Sequence, residues 1–530
     1  MAAFLRRRFL ALLAVVLAGA AVYAAAMING TNRGKVIRGT SDPEEAIYRH
    51  GANDRFLGLG GAPTAGSRTS GTGQPHGVPA ARALSSPNSG SEARLQGSPK
   101  IVTRRISRAV GDIGGQAQAE VEPDSFSWGR TIVAAFQVGR YVDGGAAAIG
   151  WARSRNGRTW RNGLLPGLRP GHNDDVRVSD PVVAYDARHG MWLVATLRAR
   201  GSGDDLLISR SPGGLTWRQP VVAARAGGDA FDKPWLACDN GRVSRFRGHC
   251  YLSYWNVRVG VIETRTSANG GVTWSQPVAL AGAELAEGQV NGAQPVVRPD
   301  GTLVVVYISY INGFADVILA ARSVDGGSTF AAPVVAAKVD ERDVYSMRAP
   351  LLPSADVDAG GRIYVAWHEC GLRSDCEGDD IVLTTSADGV TWSSVRRVPA
   401  ALGFPADSDY FTPALAVRPG TSGGRTHVAI TYYLMRPPCA LDACGIDAGI
   451  VESTNGGATW RVPQRLNARQ MPLSWIADGG FGRMLADYIS TSWWDGRPVA
   501  VYALASQPRG EQFRQSILAA RPPTPAVRKR

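Results

Sequence analysis

The sequence predicts an all-β protein: a seven-bladed β-propeller with four-stranded antiparallel blades, six blades being the rival count. Three observations lead there. The 530-residue chain carries 63 glycines and 14 tryptophans, a mix that favours many short strands joined by tight turns over helices. A Gly-rich turn recurs six times between residues 154 and 460. Its spacing is nearly constant, which marks a repeat architecture that grows by adding units.

The clearest copy of the turn is Ser323-Val324-Asp325-Gly326-Gly327-Ser328-Thr329-Phe330. Residues 267–274 and 453–460 keep the form, with Asn269 and Asn455 in place of the Asp. Residues 154–160, with Asn156, and 386–392, with Asp388, are one residue shorter, and 211–217 lack the anchoring side chain. The closing aromatics are Trp160, Trp217, Trp274, Phe330, Trp392 and Trp460, separated by 57, 57, 56, 62 and 68 residues. An Asp or Asn in such a turn accepts hydrogen bonds from backbone N–H groups just ahead. Gly supplies positive φ at little cost. The aromatic ring is expected to pack between neighbouring sheets.

Apolar runs at 303–307 and 317–321 flank one expected hairpin, and 363–367 and 381–385 another. A seventh unit lacks the turn. Its inner strands are expected at 487–494, 498–503 and 515–520, with residues 101–107 supplying the outer strand and closing the ring without an open edge.

The ends read differently. Arg6, Arg7 and Arg8 precede an apolar run over 9–27, so residues 1–28 are expected to be a signal peptide or a membrane anchor. The stretch from Arg6 to Leu10 also resembles the core of a twin-arginine signal. Residues 29–99 are rich in Gly, Ser, Pro, Ala and Arg without apolar periodicity, which predicts a disordered linker. The propeller is expected over 100–521 and a disordered tail over 522–530. Six cysteines fall in near-neighbour pairs, Cys238 with Cys250, Cys370 with Cys376 and Cys439 with Cys444. Local disulfides in an oxidising, extracytoplasmic compartment follow, the protein being secreted or held on the outer face of the membrane. No C-x-x-C pair or His cluster has zinc spacing, so neither a metal site nor a cofactor is expected. The net charge is +13, partly from the termini. The interior shows no long basic run and no nucleic-acid motif, so the excess suits a solvated surface or attraction to an acidic envelope or polyanionic glycan.

The six turns resemble the Asp-boxes, or BNR repeats, of the sialidase-like propeller superfamily, over roughly residues 100–521. That resemblance implies a protein that acts on or binds extracellular glycans, with glycoside hydrolysis as its chemistry if it is catalytic. It also implies that the turns are structural and lie on the face away from substrate. The chain carries no F/Y-R-I-P motif; Arg104-Arg105-Ile106-Ser107 lacks the Pro and the leading aromatic. Sialidases of that superfamily are six-bladed.

In a propeller the loops entering each inner strand share a face with those joining the second and third strands, and function collects there. Glycoside cleavage needs a proton donor and a nucleophile or base. The catalytic candidates are Asp232, Glu369 and Asp487, with Tyr488 as a nucleophile beside a base. Arg198, Arg348, Arg436 and Lys233 are candidates for binding an anionic substrate. Asp180, Asn256, Gln294, His368 and Tyr410 fall on the same loops. The expected partner is an extracellular glycan or an envelope protein, with membrane contact through the N-terminal segment if it stays uncleaved. A non-catalytic binding propeller or an assembly scaffold is the alternative.

Overall fold

The computed structural model describes residues 101–522 except 109, 111–112, 169–175, 201–202, 226, 228–229, 281–288, 312–313, 402–407 and 437–443. The expected signal or anchor, the linker, the tail beyond Pro522 and Cys439 lie outside the described residues. Among the described residues no helix is long and apolar enough to cross a membrane.

The fold is all-β, built from antiparallel four-stranded sheets. The first sheet comprises Gln116–Trp128, Thr131–Arg140, Ala146–Ser154 and Trp160–Leu164. The second comprises Val176–Asp186, Met191–Arg200, Asp205–Ser211 and Val221–Arg225, bridged to the first through Ala146 and Val178. Phe231–Cys238, Cys250–Asn256, Val261–Ser267 and Val278–Ala279 make the third. The fourth is Gln289–Val297, Leu303–Ile311, Phe314–Ser323 and Val334–Lys338. Ser354–Val357, Ile363–Glu369, Asp380–Ser386 and Arg396–Arg397 form the fifth. Asp409–Val417, Val428–Met435, Gly445–Ser453 and Gln464–Arg465 form the sixth, with Met471–Pro472 also on its third strand. The seventh joins both ends of the folded region: Ser490–Trp494, Arg497–Arg509 and Gln512–Arg521 take Val102–Arg105 as their outer strand. Its first strand starts at Ser490 rather than 487, which leaves Asp487 and Tyr488 in the segment leading into it.

Strand sequences explain the packing. In Leu303–Ile311 the side chains of Leu303, Val305 and Tyr307 join the core shared with the third sheet, while Val304, Val306 and Ile308 join the core shared with the fifth. Successive side chains point to opposite faces, and both faces are covered, so the strand is an unbroken apolar run. Full burial contributes about 1.5–3 kcal/mol for each such side chain.

Side chains on the first strands latch neighbouring sheets. Asp124 Oδ2 accepts from the Val183 N–H at 2.7 Å, Asp180 Oδ2 from the Lys233 N–H at 3.2 Å, and Asp232 Oδ2 from Asn291 Nδ2 at 2.8 Å. Asp356 Oδ2 accepts from the Val417 N–H at 2.7 Å, and Thr491 Oγ1 donates to the Ala414 carbonyl at 2.8 Å. Ser490 Oγ then accepts from the Ser125 N–H at 2.9 Å, which brings the seventh sheet back to the first.

The turns behave as their residues require. Asp388 Oδ1 accepts from the N–H groups of Val390 and Thr391, each at 2.8 Å, and Ser386 Oγ accepts from the Gly389 N–H at 2.8 Å. Asn156, Asn269, Asp325 and Asn455 accept from backbone N–H groups ahead of them in the same way. Gly389 has φ +77°, and a Cβ there would sit 2.7 Å from Val304 Cγ2 of the preceding sheet. Trp160, Trp274, Phe330, Trp392 and Trp460 pack half-buried against inter-sheet cores, and Trp217 is buried in one. Disulfides join Cys238 to Cys250 and Cys370 to Cys376. Cys444 is disulfide-bonded.

Candidate functional site

Five first strands carry a bulge at the same level. The register gains one residue between Val121 and Asp124, Ser179 and Val182, Asp232 and Trp235, Asn291 and Gln294, and Phe411 and Ala414. Each bulge holds a residue in the left-handed region: Glu122 at φ 50°, Asp180 at 51°, Lys233 at 43°, Gly292 at 63° and Thr412 at 49°. Bulges re-aim side chains. They also accommodate the prolines that follow four of these residues, because the ladder needs no N–H there. A non-Gly residue in this conformation costs on the order of 1–3 kcal/mol.

Three of the strained residues are ionisable, and they meet. Lys233 Nζ lies 2.9 Å from Asp487 Oδ2 and 3.8 Å from Glu122 Oε1. Those contacts put the two carboxyl groups within about 7 Å of each other, in the range of a glycosidase pair. Arg348 grips Asp487 from the other side, with Nε 3.0 Å from Oδ1 and Nη2 2.7 Å from Oδ2. Gln137 Nε2 donates to Glu122, and Arg140 Nη1 donates to Gln137 Oε1 at 3.3 Å. Tyr488 donates to the Pro181 carbonyl at 3.3 Å and packs edge-on against Trp235. Lys233, Trp235, Gln294, Asp487 and Tyr488 help line a cavity of about 20 Å³. That is room for one water molecule.

Burial sets the electrostatics. Glu122 is 1% exposed; desolvation, opposed by Lys233 and reinforced by Asp487 and Asp180, pushes its carboxyl up to about 8. Glu122 is therefore a protonated acid at neutral pH. Asp487 faces two cations. One carboxyl is thus a proton donor and its neighbour an ion-paired carboxylate, a division of labour that suits acid–base chemistry. Desolvation, then Glu122 and Asp180, raise the Tyr488 phenol well above 10, so it stays neutral.

Asp232, Lys233, Asp487, Tyr488 and Arg348 thus gather near one another, with Asp180 beside Lys233. Glu122, Gln137 and Arg140 were not among the expected residues. A signal was available in Glu122-Pro123, which repeats the proline placement of Asp180-Pro181 and Lys233-Pro234 inside a strand.

Other expected residues sit elsewhere. Arg198 pairs with Asp205, which also faces Arg200 at 2.9 Å and Arg225 at 3.8 Å. Arg436 pairs with Asp447 at 3.1 Å, as does Arg465 at 2.5 Å. Asp380 takes Arg373 and Arg397, both at 2.7 Å. The device is common to three sheets: a buried Asp at or near the start of the third strand is clamped by arginines, one from the fourth strand. Glu369 accepts from Trp367 Nε1 at 3.0 Å, and desolvation raises it to about 7. His368 is buried, and desolvation lowers it to about 4, so it is neutral. Tyr410 lies under Arg373, and Asn256 donates to Glu263 at 3.2 Å. Among the described residues no cluster of His, Cys, Asp and Glu could hold a metal ion.

No protein family matches the chain. No curated protein matches it either. Solved structures similar to it include an ulvan lyase of a polysaccharide lyase family, at 11% identity over 79% of this chain and 95% of the other, with a TM-score of 0.45. An α-L-arabinanase from Penicillium chrysogenum is 16% identical over 63% and 94%, with a TM-score of 0.42. The NanB sialidase from Streptococcus pneumoniae is 12% identical over 79% and 70%, with a TM-score of 0.38. At these values the likeness assigns neither a family nor an activity.

Proposed function

We propose that the protein is an extracytoplasmic seven-bladed β-propeller that acts on glycans, with Glu122, Lys233, Asp487 and Arg348 as its reacting centre. The observation that carries this reading is the meeting of strained, ionisable, buried side chains at one point. Glu122 and Lys233 hold left-handed conformations, and both contact or face Asp487. Buried ion networks are weak contributors to stability, and apolar side chains of similar volume serve a fold as well. Strain and buried charge concentrate where function requires them. Protonated Glu122 would donate to the leaving oxygen, and Asp487, oriented by Lys233 and Arg348, would act as base or nucleophile. Asp232 supports Asn291 beside the network, and neutral Tyr488 shapes its wall. The resemblance of the turns to Asp-boxes supports the propeller reading, and the disulfides support an oxidising compartment.

One observation favours a second reading, a non-catalytic binding propeller. Glu122, Lys233, Arg348 and Asp487 are each less than 5% exposed, and the cavity beside them holds no sugar ring. In that case the network fastens the first strands together and ligands bind on the loops above.

Turnover of a panel of chromogenic glycosides and extracellular polysaccharides separates the two. The catalytic reading predicts turnover of at least one substrate, reduced ~10²–10⁴-fold in Asp487→Asn with the fold retained. Absence of turnover across the panel, or an undiminished rate in that variant, supports the binding reading.

A further inference from the structure

The first two sheets carry a charge arrangement that the network around Asp487 does not use. In the six sheets that carry the Gly-rich turn, the residue before its serine faces one residue beyond the turn. These facing pairs are Arg153 with Arg161, Arg210 with Arg218, Thr266 with Ser275, Arg322 with Ala331, Thr385 with Ser393, and Glu452 with Arg461. In the sixth sheet the charges are opposite, and Arg461 Nη1 lies 3.9 Å from Glu452 Oε2. In the third and fifth, Ser275 and Ser393 Oγ accept from the backbone N–H of the facing threonine, each at 3.0 Å. The first and second sheets instead set arginine opposite arginine. Like charges directly across a ladder destabilise a sheet.

Around the first pair no carboxylate among the described residues offsets the positive charge. Arg153, Arg155, Asn156, Thr159, Arg161 and Leu215 line a surface depression of about 380 Å³, and no carboxylate is among them. The turn there is anchored by Asn156, whereas the fourth and fifth sheets use Asp325 and Asp388. Arg153 Nε is buried and unpartnered. Desolvation, then Arg155 and Arg161, lower the Arg153 guanidinium below its ordinary value. Among the described residues none of the three arginines has a carboxylate within ion-pair distance.

We propose that this depression binds an anionic group, a sulfate or carboxylate, of a polyanionic saccharide, held between Arg153, Arg155 and Arg161. Guanidinium groups pair such oxyanions in bidentate fashion. A concavity of about 380 Å³ admits a sugar unit, and Leu215 adds one apolar side chain to its lining. Asn156 is spent on its own turn, and Thr159, which accepts from Asn156 Nδ2 at 3.4 Å, keeps its hydroxyl hydrogen for a ligand oxygen. A planar lipid surface would call for protruding apolar side chains, and Leu215 is the single apolar lining residue. The site shares no residue with the network around Asp487, so either can fail without the other.

The test is calorimetric titration of the full chain with a dextran sulfate oligosaccharide at fixed low salt. Arg161→Glu copies the charge pairing of the sixth sheet. It is expected to raise Tm in ligand-free buffer while weakening binding at least tenfold. Arg153→Ser brings the first sheet closer to the neutral pairs of the third and fifth, and is expected to weaken binding similarly. Unchanged affinity in both variants overturns the proposal. So does equal binding of uncharged dextran, or binding of phosphatidylserine vesicles or duplex DNA with the same dependence on Arg161.

Discussion

Asp487 sits between Lys233 and Arg348 with almost no exposure, and its removal leaves two buried cations facing each other. Asp487→Ala is therefore expected to cost about 3–5 kcal/mol in urea unfolding. Asp487→Asn keeps the shape and some hydrogen bonds, and is expected to cost less. A loss below about 1 kcal/mol in the Ala variant would mean that water reaches the site freely. Of this network, Asp232, Lys233, Arg348, Asp487 and Tyr488 were legible because loops entering inner strands are read directly from the repeat. Glu122 was not, although it stands at the same in-strand bulge as Lys233, because the repeating turns begin only at residue 154 and left the first strand of the first sheet without a marker. Arg198 and Arg436 were expected on loops facing a substrate, but Arg198 lies within its strand and both arginines pair with buried aspartates instead. Their clamps on Asp205 and Asp447 depend on fourth-strand residues, which sequence periodicity places only loosely.

At the level of the element, the Gly-rich turn is a local device with a local energy. Asp388 accepts two backbone N–H groups at 2.8 Å, and these bonds lower its carboxyl to about 2. Asp388→Ala is expected to cost about 1 kcal/mol. Its folded value is depressed, so its contribution is present above about pH 4 and lost as pH falls toward 2. Gly389→Ala is expected to cost at least as much, through positive φ and the close approach to Val304. Thermal unfolding of the two variants measures both. The strands predicted at 303–307, 317–321, 363–367 and 381–385 all fall within observed strands, because two-sided burial writes long apolar runs. The closing aromatics were expected to pack between neighbouring sheets, and all six do. Five of the six are half-buried, since each caps a core at its rim.

For the whole molecule, the seventh sheet joins the two ends of the folded chain. Val102–Arg105 pairs with Gln512–Arg521, Ile106 is buried, and Ser107 Oγ accepts from the Ile517 N–H at 3.0 Å. A chain beginning at residue 108 is expected to aggregate or lose cooperative unfolding through the exposed edge, while one beginning at residue 100 is not. The buried acids also give the molecule a pH profile. Desolvation is the largest cause of raised values at Glu120 and Asp124, each about 7, Glu122 and Asp379, each about 8, Asp356, about 6, and Glu369, about 7. Each folded carboxyl holds its proton where the unfolded one has lost it, so stability falls as pH rises from about 5 to 8. His368, lowered to about 4, acts in the opposite sense below pH 6.5 but is a single group. Scanning calorimetry should give a higher Tm at pH 5 than at pH 8. The most direct test of the reacting centre is the pH–rate profile on whichever glycan is turned over, for the wild type and Glu122→Gln. The account predicts a wild-type rate that falls through about pH 8 as Glu122 ionises, and a variant that is slower and lacks that limb. The same limb at the same pH in both proteins would contradict it.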